Sequence, residues 1–135
     1  MSTLARIGVA IDADLLEQFD AYLDRRNYAN RSEGFRDLVR DALIGEKTAD
    51  PAQPSVGTLT LVYDHHTRSL SEKLTNMQHD HTDLVISTLH VHLDHHNCLE
   101  VLVLRGPAGQ IRQLAEGIIA TKGVQHGQLT MTAAG

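Results

Sequence analysis

Apolar residues recur along this chain in two rhythms. In "LARIGVAID" they alternate loosely, with Leu4, Arg6, Gly8 and Ala10 on one side and Ile7, Val9 and Ile11 on the other, which predicts a short strand. Leu15, Leu16, Phe19, Tyr22 and Leu23 then repeat at helical spacing behind Asp12, which can cap a helix ending near Asn27. Asn30 followed by Glu33 has the form of a capping box and opens a second helix striped by Phe35, Leu38, Val39, Ala42 and Leu43. A lone strand leaves its backbone donors and acceptors unpaired. The unit therefore calls for a partner strand from another chain.

"GEKTADPAQPSVG" has no periodicity and is rich in Gly, Pro and small polar residues, the pattern of a linker. It divides the chain into a first domain over residues 1–47, a linker over 48–56 and a second domain over 57–135. The second domain opens with a strand around "TLTLVYD" and a helix from about Arg68 with Leu70, Leu74 and Met77 on one face. Two long alternating segments follow. A last helix carries Ile111, Leu114, Ala115, Ile118 and Ile119, Gly123 stops it, and "VQHGQLTM" forms a final strand. The fold class is α+β: a βαα unit followed by βαββαβ, the order of a ferredoxin-like or ACT-like sandwich.

Composition narrows the class. Net charge is −5 with 41% apolar residues, the balance of a soluble folded protein, and no apolar run nears the roughly 20 residues that span a bilayer. The first residues lack a signal-peptide pattern, so a cytoplasmic location is expected, with no membrane partner. Below about 70 residues a single core is marginal, so two small domains also lead one to expect association. One cysteine cannot form an internal disulfide and draws attention as a ligand or nucleophile.

That cysteine lies in "STLHVHLDHHNCLEVLVL", with four of the nine histidines. Strand side chains alternate, so Val85, Leu89, Val91 and Leu93 face one way, read as the core side, and His90 and His92 share the other, about 7 Å apart. Leu99, Val101 and Val103 are expected to face the core from the next strand. That turns Cys98 and Glu100 to the histidine side. With the "DHHN" turn centred on His95, Cys98 falls opposite His92 and Glu100 opposite His90, at cross-strand Cβ separations of roughly 5 Å. Two imidazoles and a thiolate suit borderline divalent metals: tetrahedral sites favour zinc, planar ones nickel(II) or copper(II). "QHDHTD" offers His79 or His81 as a fourth donor, and Glu100 could accept the free N–H of a bound imidazole. His95, His96, His65 and His66 are expected at the surface, where either adjacent pair could hold a weakly bound metal.

The first domain, paired strand to strand with its copy, would form a two-stranded ribbon of a kind that fits the DNA major groove. Its exposed face presents Arg6, Gly8 and Ala10, and the start of the second helix with Arg31 could hold a backbone phosphate. Residues 1–47 carry seven Lys and Arg against nine Asp and Glu, so charge neither suggests DNA nor excludes it, and a plain dimerisation module stays open.

"RIGVAIDADLLEQFDAYLDRRNYANRSEGFRDLVRDAL" resembles the ribbon-helix-helix domain of the NikR family of nickel-responsive transcriptional regulators. "MQHDHTDLVISTLHVHLDHHNCLEVLVLRG", with "GVQHGQL", resembles that family's ACT-like regulatory domain. The resemblance implies one nickel(II) per subunit in a square-planar site of His90, His92 and Cys98 with His79 from a neighbour. It implies a homotetramer, a dimer of ribbon-helix-helix dimers, that binds a double-stranded DNA operator and represses nickel-uptake genes. Glu33 and Asp37 match a second cation site, commonly filled by potassium, and Arg68 matches a contact to the DNA backbone. Gly8 and Ala10 stand where the family's ribbon often offers hydroxyl-bearing residues, so the operator does not carry over. The family is not enzymatic, and no small organic substrate is expected. Two rival readings use the same residues. One is a zinc or copper storage protein or hydrolase with Glu100 as base; the other is an ACT-like small-molecule sensor whose histidines are incidental.

Overall fold

A computed structural model describes residues 3–67 and 69–134. The chain divides into two compact units, Met1–Ala42 and Leu43–Gly135.

In the first unit α1 (Ala13–Arg25) and the first turns of α2 (Arg31–Ala49) form a helical hairpin. Asn30 Oδ1 accepts the Glu33 backbone N–H at 2.9 Å, the cap bond that the sequence predicts. Asp12 occupies the cap position of α1 without a side-chain bond. Leu23 is buried, and Gly34 fits beside it because a Cβ there would collide with the Leu23 side chain. Arg31 grips Asp20 with two 2.9 Å bonds, tying α2 to α1. Residues 3–12 enter no ladder, and Leu4, Ile7 and Val9 are more than 60% exposed. Among the described residues no strand pairs with this segment.

The predicted linker begins too early. α2 runs on through Gly45 to Ala49 and β1 opens at Pro54, leaving residues 50–53 as the turn. Glu46, Lys47 and Ala49 are good helix formers, and the Thr48 hydroxyl bonds back to Gly45 O at 3.3 Å. Pro51 ends the helix by disfavouring α geometry at Asp50.

The second unit runs β1 (Pro54–Asp64), α3 (Leu70–His79), β2 (Val85–His92), β3 (Asn97–Pro107), α4 (Ala108–Ile119) and β4 (Val124–Ala133). The strands form one sheet in the order β2-β3-β1-β4, every neighbouring pair antiparallel. Leu59, Leu61 and Tyr63 of β1 and Leu102 and Leu104 of β3 pack against Leu70 and Leu74 of α3 and Ile111, Leu114, Ala115 and Ile118 of α4. Gly123 follows α4 at φ +101°, a conformation that suits glycine and turns the chain into β4.

One expectation about the sheet is reversed. The helix-covered face of β3 carries Cys98, Glu100, Leu102 and Leu104, all buried, whereas Leu99 and Val101 are half-buried and Val103 is exposed. Leu89, Val91 and Leu93, read as core, are 59, 38 and 52% exposed on the opposite face. Both rows of β3 are apolar beyond Glu100, so alternation sorts residues into faces without saying which face the helices take. An irregularity between Val85 and Ser87 adds to this, because it keeps Val85 against the core while its expected companions turn away.

Candidate metal centre

The β2–β3 hairpin positions the site. Its ladder sets His90 opposite Glu100 and His92 opposite Cys98, the register read from the turn. Asp94 holds that turn by accepting the backbone N–H groups of His96 and Asn97, both at 2.9 Å, and the Asn97 side-chain amide at 3.1 Å. These bonds hold the Asp94 carboxyl below the usual carboxylate range.

Cys98 Sγ lies 3.7 Å from His92 Nδ1. Since β2 is an edge strand, His92 is exposed while Cys98, one strand further in, is buried. His90 shares their face but points into a different set of partners. Its Nε2 is 3.5 Å from Glu100 Oε1, and its Nδ1 is 3.5 Å from the Tyr63 hydroxyl. Glu100 is 1% exposed; Oε1 also accepts Gln78 Nε2 at 2.7 Å, while Oε2 is buried with no hydrogen-bond partner among the described residues. Burial, reinforced by the Glu100 charge, pushes the Tyr63 phenol up to about 12. A buried carboxylate with one unpaired oxygen beside an imidazole is an unfinished electrostatic arrangement. A cation bound to that imidazole would complete it.

His79 ends α3 in an exposed position, and its donor atoms are not among those that converge with His92 and Cys98. A residue that sequence reasoning left at the surface does converge. His65, His92 and Cys98 each offer a donor atom within 4.8 Å of the others'. His65 follows β1, which pairs with β3 so that Tyr63 lies opposite Cys98, and its backbone N–H donates to His96 O at 3.0 Å. The pairing of β1 with β3 was the signal that could have found it, and strand alternation alone does not give that register. The His66 ring lies tilted against His65 with centroids 4.2 Å apart, and His95 and His96 cluster around His66 in tilted and edge-on contacts at 4.9–5.4 Å.

In the first unit the candidate DNA residues Arg6, Gly8 and Ala10 are exposed. Arg31, expected to meet phosphate, is engaged with Asp20, and that pairing holds the Asp20 carboxyl below its usual range. Of the candidate cation ligands, Asp37 accepts the Tyr28 hydroxyl at 2.8 Å and Arg40 at 3.1 Å, while Glu33 lies in the first turn of α2. Arg68 lies outside the described residues.

Residues 56–132 match the family model described as the NikR C-terminal nickel-binding domain. The chain belongs to this family. Among curated relatives, a protein of Solibacter usitatus is 58% identical over 135 residues, covering all of this chain and 97% of its own. One from Nitratidesulfovibrio vulgaris is 53% identical over the same span. Both carry the name "putative nickel-responsive regulator". Of solved structures, an uncharacterised protein from Thermotoga maritima superposes with a TM-score of 0.50 at 12% identity, over 62% of this chain and all of its own, a likeness of fold alone. Among the described residues no helix is long and apolar enough to cross a membrane.

Proposed function

We propose that this chain is a nickel-responsive transcriptional regulator that, with nickel bound, represses genes of nickel uptake. The observation that carries the reading is the pairing of Cys98 with His92 across one ladder, with His90 on the same face. A thiolate and imidazoles suit nickel(II) and disfavour calcium or magnesium. Nickel would be held by His90, His92 and Cys98 together with His79 of a second subunit, one ion per subunit, and would supply a bond that joins two chains. Glu100 would accept the free N–H of the His90 ring and fix its tautomer.

The chain's own residues suggest the coupling. Gln78, one residue before His79, donates to Glu100, so the last turn of α3 and the His90 partner share one carboxylate. Fixing His79 would order that turn, and DNA affinity rises if the ordered arrangement is the one that binds DNA. The sheet order β2-β3-β1-β4 supports an ACT-like regulatory domain, and its open face, with Leu89, Val91 and Leu93 exposed, supports assembly into a tetramer. In the first unit the unpaired apolar residues Ile7, Val9 and Ile11 support a ribbon-helix-helix dimer. Arg6, Gly8 and Ala10 would then meet bases, and Arg68 and Arg31 phosphates, Arg31 by exchanging Asp20. Glu33 and Asp37 would hold a second cation, potassium.

The test is selection of DNA from a random duplex library by the full chain, followed by affinity measurement with and without nickel. A nickel-dependent rise that Cys98→Ala abolishes supports the proposal. Equal affinity in both conditions contradicts it.

A further inference from the structure

We infer that the exposed face of residues 3–12 reads duplex DNA through the 5-methyl group of thymine, touched by Ala10, beside a single hydrogen-bonding contact from Arg6 to guanine. The inference rests on reading this segment as a DNA-binding ribbon, and it specifies what that ribbon recognises.

The alternation leaves few readers. Ile7, Val9 and Ile11 form the apolar row that a partner strand must cover, so Leu4, Arg6, Gly8 and Ala10 are turned outward. That row holds no Asn or Gln to pair with adenine and no Asp or Glu to accept from cytosine. Arg6 alone in it can hydrogen-bond a base edge, and a guanidinium in the major groove pairs bidentately with guanine O6 and N7. Its guanidinium is available. Among the described residues of the first unit Arg31 is held by Asp20, Arg40 by Asp37, and Arg26 lies over the Tyr22 ring, whereas Arg6 is exposed and enters no ion pair.

Ala10 offers only a methyl group. Thymine presents its own methyl in the major groove, and contact between the two removes apolar surface from water. So short a side chain reaches a base only where the backbone lies close to it, and Gly8, two residues away on the same face, permits that approach. Packing within the chain does not demand a glycine there, since a Cβ at Gly8 would meet nothing within 4 Å. Along an extended strand Arg6 and Ala10 stand about 13 Å apart, close to four base-pair steps of about 3.4 Å, so they read different base pairs. Adenine and cytosine are then selected only as the partners of thymine and guanine.

The test starts from duplexes that the full chain selects from a random library with nickel present. Each is remade with deoxyuridine in place of thymine, one position at a time, or with single base pairs exchanged, and bound to wild type, Ala10→Gly, Gly8→Leu and Arg6→Ala. Deoxyuridine at one position of each half-site should cost the wild type roughly fourfold in affinity, the worth of one buried methyl-sized group. The same replacement should cost nothing further in Ala10→Gly, which lacks the methyl, or in Gly8→Leu, which is held off the groove. Exchange of one G·C pair elsewhere in the half-site should cost the wild type roughly 5- to 150-fold and Arg6→Ala nothing further. Deoxyuridine tolerated at every position by the wild type would overturn the inference, and because that replacement alters the DNA alone, the result does not depend on the folding of any variant. An equal deoxyuridine penalty in Ala10→Gly would overturn it too, as would an Arg6→Ala chain weakened evenly on all sequences, which would place Arg6 on phosphate. Either result leaves nickel-dependent DNA binding standing. Failure of the wild type to select any DNA, with or without nickel, would overturn the inference and the regulatory reading together.

Discussion

Glu100 faces His90 across the β2–β3 ladder, its Oε1 3.5 Å from the imidazole Nε2, while its buried Oε2 has no hydrogen-bond partner among the described residues. A carboxylate so placed costs stability in the metal-free chain. Glu100→Leu should therefore leave the metal-free protein as stable as the wild type or more so by about 1–3 kcal/mol, because an apolar isostere suits the surrounding core. The same variant should bind nickel roughly 10- to 100-fold more weakly, having lost the partner of a ligand. Thermal unfolding with and without nickel measures both effects.

Tyr63 couples the core to the site. Its phenol ionises at about 12 in the folded chain because burial, and then Glu100, oppose the phenolate. A raised acid pKa means that the folded state holds its proton where the unfolded chain, near 10, has begun to release it. Stability from this group is thus complete below pH 10 and falls as pH climbs towards 12. Tyr63→Phe should show a shallower alkaline decline, read by urea unfolding at pH 9 and 11.

The open face of the sheet should govern assembly. Val91 is 38% exposed between Leu89 and Leu93, and a charge there would be desolvated in any sheet-to-sheet contact. Val91→Glu should reduce the proposed tetramer to a dimer by light scattering while far-ultraviolet circular dichroism stays unchanged. A variant tetramer would remove this face from the interface.

Gly34 makes the helical hairpin possible. A methyl group there runs into Leu23, whose side chain is buried between α1 and α2, so Gly34→Ala should destabilise the first unit by about 1–3 kcal/mol. Thermal unfolding of the full chain should show the loss, and nickel binding should be unaffected.

Sequence periodicity carries some of this further than the rest. The pairing of His92 with Cys98 was legible because two strands joined by a short turn have their register fixed by that turn. Which face of the sheet the helices cover was not, since Leu99, Val101 and Val103 are as apolar as Leu102 and Leu104; only the packing of Ile111, Leu114 and Ile118 decides it. His65 stayed hidden because its place depends on β1 lying beside β3, residues more than 30 positions apart. The first strand is a different case: its alternation is present in "LARIGVAID", but the described residues of one chain hold no strand that pairs with it. The helix signal of Glu46 to Ala49 was masked by the glycines and prolines around it.

A nickel site shared between chains has a direct test in subunit mixing. His79→Ala and Cys98→Ala chains, each produced alone, should show no thiolate-to-nickel absorption band. Co-expressed as mixed assemblies, they should regain part of it, because His79 of one chain can meet Cys98 of the other. A band that never returns in the mixture, or one undiminished in His79→Ala alone, would contradict a centre completed by a second subunit.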